Sequence, residues 1–180
     1  MHIGPAGLAQ SIRPISNYLG LTTLPLHIHE ALFAYALYET AFRVISPYFS
    51  RKLFPARYGK MSRRQRLNWD AHMVSMYQAL FINTAALLVI LKDPARSVQN
   101  QSWNWMERLW GYNGAAGMCQ AFAAGYFLWD CIVSTVHMDV MGPSSLVHAV
   151  AALAVTSIGF VSLLFFPSPH GRSYTDVVSV

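Results

Sequence analysis

Apolar residues recur along this chain in four blocks of bilayer-crossing length, at about 26–45, 71–91, 114–136 and 145–166. About 20 mostly apolar residues cross a hydrocarbon core when helical. Each block is expected to be a helix, because an open sheet edge leaves backbone groups unsatisfied in lipid. The second block is the plainest and ends in ALFINTAALLVIL. The first is the most polar, with His27, His29, Glu30, Glu39 and Arg43. Glu39 and Arg43 lie four apart, so they can pair on one helical face and lower each other's insertion cost. The third block contains Asp130, and the fourth is apolar apart from His148 and a few hydroxyls.

The connections carry turn and breaker residues: Pro47 and Pro55, Asp93-Pro94, and Gly142-Pro143. The 92–113 connection holds Trp103, Trp105 and Trp110, which either lie at a headgroup interface or pack on the ends of their own helices. The expected fold is all-α, a polytopic transmembrane helix bundle of about four spanning helices over residues 26–166. Residues 1–25 form an N-terminal segment outside it, and 167–180 form a tail.

Composition sharpens this picture. The chain is 54% hydrophobic and 12% charged, about half the charge usual in a soluble domain. Its mean hydropathy is +0.31. The net charge of +5 raises nucleic acid as a partner, but the distribution argues otherwise. Seven of the thirteen Lys and Arg fall between residues 46 and 70: Arg51, Lys52, Arg57, Lys60, Arg63, Arg64 and Arg66. Such a cluster between two spans is a topology signal that places the 46–70 loop in the cytoplasm. The N-terminus and the Trp-rich loop then face the lumen or exterior. No nucleic-acid partner is expected, and membrane lipids are. Cys119 and Cys131 are about 18 Å apart along one helix, too far to bond. No dinucleotide fingerprint, Walker-type loop, HExxH motif or nucleophile elbow occurs, so no cofactor and no metal are expected.

Candidate chemistry centres on Asp130. A carboxyl in a spanning helix costs several kcal/mol (roughly) unless it faces protein or water. At helical spacing Tyr126, Ser134 and His137 share its side, and His148 starts the neighbouring helix after a short connection. One reading is a polar pocket for a lipid headgroup or a proton. The other is an aspartate that joins helices through hydrogen bonds. His148 is the candidate base if there is catalysis, although one carboxylate and one imidazole do not complete a metal site. Gly117, Ala121 and Gly125 form a small-residue seam, about 140° from Asp130, along which another helix can approach closely. Arg63, Arg64 and Arg66 beside Trp69 either hold anionic headgroups or serve topology alone.

Three stretches, in order and spacing, resemble the TLC family, named for TRAM, Lag1 and CLN8. Residues 69–75, WDAHMVS, look like the approach to its second helix. Residues 125–130, GYFLWD, look like its Gly-Tyr-x-x-x-Asp motif, and Leu146-Val147-His148 like the start of its His-containing helix. The stretch from Trp103 to Gly117 is similar to fungal members of the TLCD4-type branch. The resemblance covers about residues 26–160. It implies a multi-pass protein of the endoplasmic reticulum engaged in lipid sensing, lipid trafficking or membrane-lipid homeostasis. Asp130 and His148, with Tyr126 and Ser134, would then line the polar part of a bundle cavity.

Two departures bear on activity. Many family members carry a His-His pair where this chain has His148-Ala149, and further helices follow in them where this chain runs into PSPHGRSYTDVVSV. The chain therefore reads as C-terminally truncated, and a ceramide-synthase-like acyltransferase with His148 as base is disfavoured. A small transporter or proton pathway through Asp130 is the third reading.

Overall fold

The computed structural model describes residues 5–92 and 114–161, and every regular element among them is helical. In chain order these are α1 (Pro5–Tyr18), α2 (Leu24–Thr40), a π-helical turn (Ala41–Ile45), α3 (Ser46–Leu53), α4 (Pro55–Tyr58), α5 (Arg63–Lys92), α6 (Gly114–Val136), α7 (Met138–Met141) and α8 (Pro143–Ile158). The expected surface loop with Trp103, Trp105 and Trp110, the end of the fourth expected span, and the tail 167–180 lie outside the described residues.

Local sequence explains where the helices start and stop. α1 closes in a Schellman motif: Leu21 N–H donates to the Ser16 carbonyl at 2.8 Å and Gly20 N–H to Asn17 at 3.2 Å. Gly20 takes φ +71°, which a side chain would disfavour. The first expected span does not end at Ile45. The helix continues to Leu53 despite Pro47, because Pro47 follows a π turn in which the Ser46 N–H reaches back to Ala41. That widened turn makes room for a ring that would clash with the preceding turn of an ideal α-helix. α5 starts at Arg63 rather than near Ala71 because Ser62 and Gln65 form a capping box. The Ser62 N–H donates to Gln65 Oε1 at 2.8 Å, and the Gln65 N–H approaches Ser62 Oγ at 3.4 Å.

α6 is the axis of the bundle and packs against α2, α8 and α5. Small residues set its approach to α2. A Cβ on Gly125 would collide with the Ala31 carbonyl and lie 2.7 Å from Ala34 Cβ, and one on Gly117 would strike the His27 ring. Ala121, between them, is fully buried. The small-residue seam is thus occupied by α2 of the same chain. Around the middle of this contact sits an aromatic core. Phe42 meets Trp129 edge to face at 5.6 Å, and Tyr38 meets Tyr126 at 5.4 Å.

Polar groups inside this packing are paired. Glu39 receives the Arg43 guanidinium, as their spacing suggested, and its other oxygen accepts Trp129 Nε1–H at 3.0 Å. Tyr38 donates to Gln78 on α5, and Tyr126 donates to Ser75 Oγ at 2.8 Å. Trp129→Phe removes the Glu39 bond and leaves a void where the larger ring filled the core beside Phe42 and Tyr126. The expected loss is about 1–3 kcal/mol, of which the bond is about 0.6–1, measured as a fall in the unfolding midpoint in detergent.

The two ends of the bundle are tied separately. At one end Thr23 joins α2 to the end of α8, its N–H and hydroxyl both donating to the Phe160 carbonyl at 3.1 and 2.9 Å. Gln120 donates to the Thr156 carbonyl on the same side. At the other end Arg64 donates to the Asp139 carbonyl of α7, so the basic connection and the 137–142 connection lie together.

α5 and α6 are each long and apolar enough to cross a membrane, and α8 is a shorter apolar helix. Only 11% of the apolar window of α5 is buried within the chain. Leu80, Leu87, Leu88, Ile90 and Leu91 are all exposed. A helix apolar on all sides and so little covered by protein has hydrocarbon as its natural surrounding. The molecule is an all-α membrane helix bundle.

Candidate functional site

The third expected feature, the polar stripe on α6, resolves into distinct groups. Ser134 is buried one turn beyond Asp130 on the same helical face, and His148 on α8 lies within electrostatic range of the Asp130 carboxyl. Asp130 is half-buried and His148 exposed. The structure therefore places Asp130 and Ser134 on one face of α6 with His148 of α8 nearby, and the carboxyl and imidazole form no direct ion pair. Tyr126 lies within electrostatic range of Asp130, but its hydroxyl is turned to Ser75 on α5. His137 departs from the stripe. It ends α6, and its ring lies 6.3 Å from Phe42, tilted against the aromatic core. Among the described residues no three His, Cys, Asp or Glu side chains converge as a metal site would require.

A second polar group lies at the basic end, where the sequence offered no candidate among the acidic residues. Asp70, buried in the second turn of α5, accepts Ser46 Oγ–H at 2.6 Å and Tyr58 O–H at 2.7 Å. Beside it Trp69 Nε1–H donates to the buried Ser50 Oγ at 2.9 Å. These bonds clamp α3 and α4 onto the start of α5. Burial first, then the hydrogen bond to Asp70, push the Tyr58 hydroxyl up to about 12. The signal for Asp70 was present. It is the single acidic residue between 46 and 92, against seven cations between 46 and 70.

The basic residues fall into different roles. Arg66 covers the Tyr58 ring at 5.5 Å and donates to the Gly59 carbonyl at 3.0 Å. Arg64 is bound to Asp139, and Arg63 is exposed. Arg57 instead lies over the Trp69 ring at 5.9 Å.

The segment that carries Asp70, Ser75, Asp130 and His148 is also the segment that identifies the family. The TLC domain model matches residues 68–169. The chain belongs to the TLC domain family.

Among curated proteins it is similar to an uncharacterized TLC domain-containing protein of Schizosaccharomyces pombe, 34% identical over 95% of this chain and 55% of that protein. It is also similar to topoisomerase I damage affected protein 4 of Saccharomyces cerevisiae, 27% identical over 83% of this chain and 50% of that one. TLC domain-containing protein 4 of Homo sapiens is 24% identical over 65% of this chain and 41% of its own length. The chain spans about half the length of the curated relatives it matches. No solved structure matches it.

Proposed function

We propose that this TLC-family chain handles membrane lipids in the endoplasmic reticulum, in lipid sensing, trafficking or homeostasis, with Asp130, Ser134 and His148 as the polar element of its lipid site. The observation that carries this reading is the half-buried Asp130 carboxyl in apolar α6, with the exposed His148 imidazole of α8 within electrostatic range of it. Groups this polar at membrane depth require protein, water or a ligand headgroup around them. Donors and acceptors are both present, which suits a lipid headgroup with hydroxyl, amide or phosphate functions. Exposed Val147, Val150 and Val155 on α8 offer apolar surface for an acyl chain alongside.

The orientation follows from charge. The basic connection and the 137–142 connection share one end of the bundle, and positive-inside logic puts that end in the cytoplasm. The Asp130 site then lies toward the cytoplasmic leaflet. Asp130→Asn keeps the size and removes the charge. It is expected to lower lipid retention on the purified full chain several-fold while membrane insertion and helix content stay unchanged. Lipid retention is measured by extracting and quantifying the lipids that co-purify.

A further inference from the structure

The strongest unassigned feature is beside the Asp70 group, where α4 and the first turns of α5 border an open groove of about 690 Å³. Arg57, Lys60, Gln65, Asn68, Trp69 and His72 line it. Met73 and Met76 continue the wall down α5, and Met73 also borders a second groove of about 380 Å³ between α3 and α5, made apolar by Phe49, Leu53 and Phe54. We infer that this end of the bundle holds an anionic glycerophospholipid, its phosphate against Arg57, Lys60 and His72 and its acyl chains along Met73, Met76 and the adjoining apolar groove.

Depth supports a lipid. α5 has 30 residues and is about 45 Å long by helical rise, against a hydrocarbon core of roughly 30 Å. With the apolar block 71–91 in that core, the turns bearing Gln65, Asn68 and Trp69 stand at headgroup level and His72 at its edge. Met73 and Met76 then mark the boundary where acyl chains begin. The groove is basic where a phosphate would sit and apolar where the chains would lie.

Charge supports an anionic one. Asp70, the one carboxyl among the seven cations of this end, is engaged by Ser46 and Tyr58. Among the described residues the ion pairs involve Glu30 and Glu39 alone, so no carboxylate of the described residues neutralises Arg57 or Lys60. Arg64 and Arg66 are held by backbone carbonyls. The cations that face the groove are therefore Arg57 and Lys60, not the Arg63, Arg64 and Arg66 cluster that stands out in the sequence. Arg57 lies over the Trp69 ring at 5.9 Å, a cation–π contact that uses none of its N–H donors on a carboxylate. This inference does not depend on the Asp130 site.

The test uses the full chain in nanodiscs made of phosphatidylcholine and phosphatidylserine, with bound lipid counted by native mass spectrometry. Wild type is expected to retain phosphatidylserine in preference. Arg57→Gln with Lys60→Gln should weaken that retention about thirty-fold, from about five-fold per cation near an anionic surface. Arg51→Gln with Lys52→Gln removes the same charge from α3 outside the groove and should change it by no more than about three-fold, since screening damps distant charges. All four side chains are exposed, so equal helix content in the two variants is expected. Equal losses in both variants mean diffuse attraction only and overturn the inference. So does a wild type without preference, or complete displacement of the lipid by inorganic phosphate, which would mean a simple anion site.

Discussion

Asp70→Ala is expected to lower the unfolding midpoint of the detergent-purified chain by about 5–10 °C, the largest effect of any polar substitution among the described residues. The reason is the number of partners it strands. Asp70 accepts bonds from Ser46 at 2.6 Å and Tyr58 at 2.7 Å, and all three residues are buried. Alanine leaves both hydroxyls without that acceptor. Each lost bond with a buried partner costs about 1–3 kcal/mol, and a chain of this size shifts by about 2–4 °C per kcal/mol. The clamp also holds α3 and α4 against α5, so local opening at this end should precede global unfolding. Asp70→Asn keeps a carbonyl acceptor and should lose about half as much. A shift of less than about 2 °C in Asp70→Ala would show that the clamp does not stabilise the bundle.

The second large effect is steric. Gly125→Leu places a side chain where a Cβ alone would overlap the Ala31 carbonyl and come within 3.1 Å of the Tyr35 N–H. Those atoms are backbone of α2 and cannot rotate aside, so α2 and α6 must separate along their main contact. Forcing extra methylenes into a packed interface costs about 1–3 kcal/mol or more, and here it also disturbs the Tyr38, Phe42 and Trp129 cluster just beyond. The expected result is a large fall in the yield of folded protein on size-exclusion chromatography. Gly114→Ala is the matched control, because a Cβ there meets nothing within 4 Å and alanine favours helix. Equal behaviour of the two variants would contradict the close packing of α2 on α6.

Much of this architecture is written in local patterns. Helix periodicity alone puts Ser134 beside Asp130 and Arg43 beside Glu39, since partners four apart on one helix need no tertiary information. His148 comes within electrostatic range of Asp130 because the connection between their helices is short. The small residues at 117, 121 and 125 announce a close helix contact, though not which helix fills it.

Other features depend on contacts far apart in sequence. Asp70 meets Ser46 and Tyr58 only because the chain breaks at Phe54, whose φ and ψ of −128° and 51° turn α4 back toward α5. Hydropathy sees that stretch merely as basic. Trp129 and Glu39 are ninety residues apart, and nothing in either local pattern pairs them. His137 shares a helical face with Asp130 in spacing, yet α6 ends there, and the ring packs on Phe42 instead. The basic cluster shows the same division. Sequence locates the charge, while the fold decides that Arg64 and Arg66 serve the protein and Arg57 and Lys60 face the groove.

The central claim is that Asp130 and His148 act together in holding lipid, and a double-mutant cycle on lipid retention tests it most directly. Wild type, Asp130→Asn, His148→Gln and the double variant are purified as full chains from the same membranes, and the co-purifying lipid per protein is quantified. Each single substitution is expected to reduce retention several-fold, with the double variant no worse than the weaker single, because the pair works as a unit. Unchanged lipid in both singles, in correctly inserted protein, would contradict the claim.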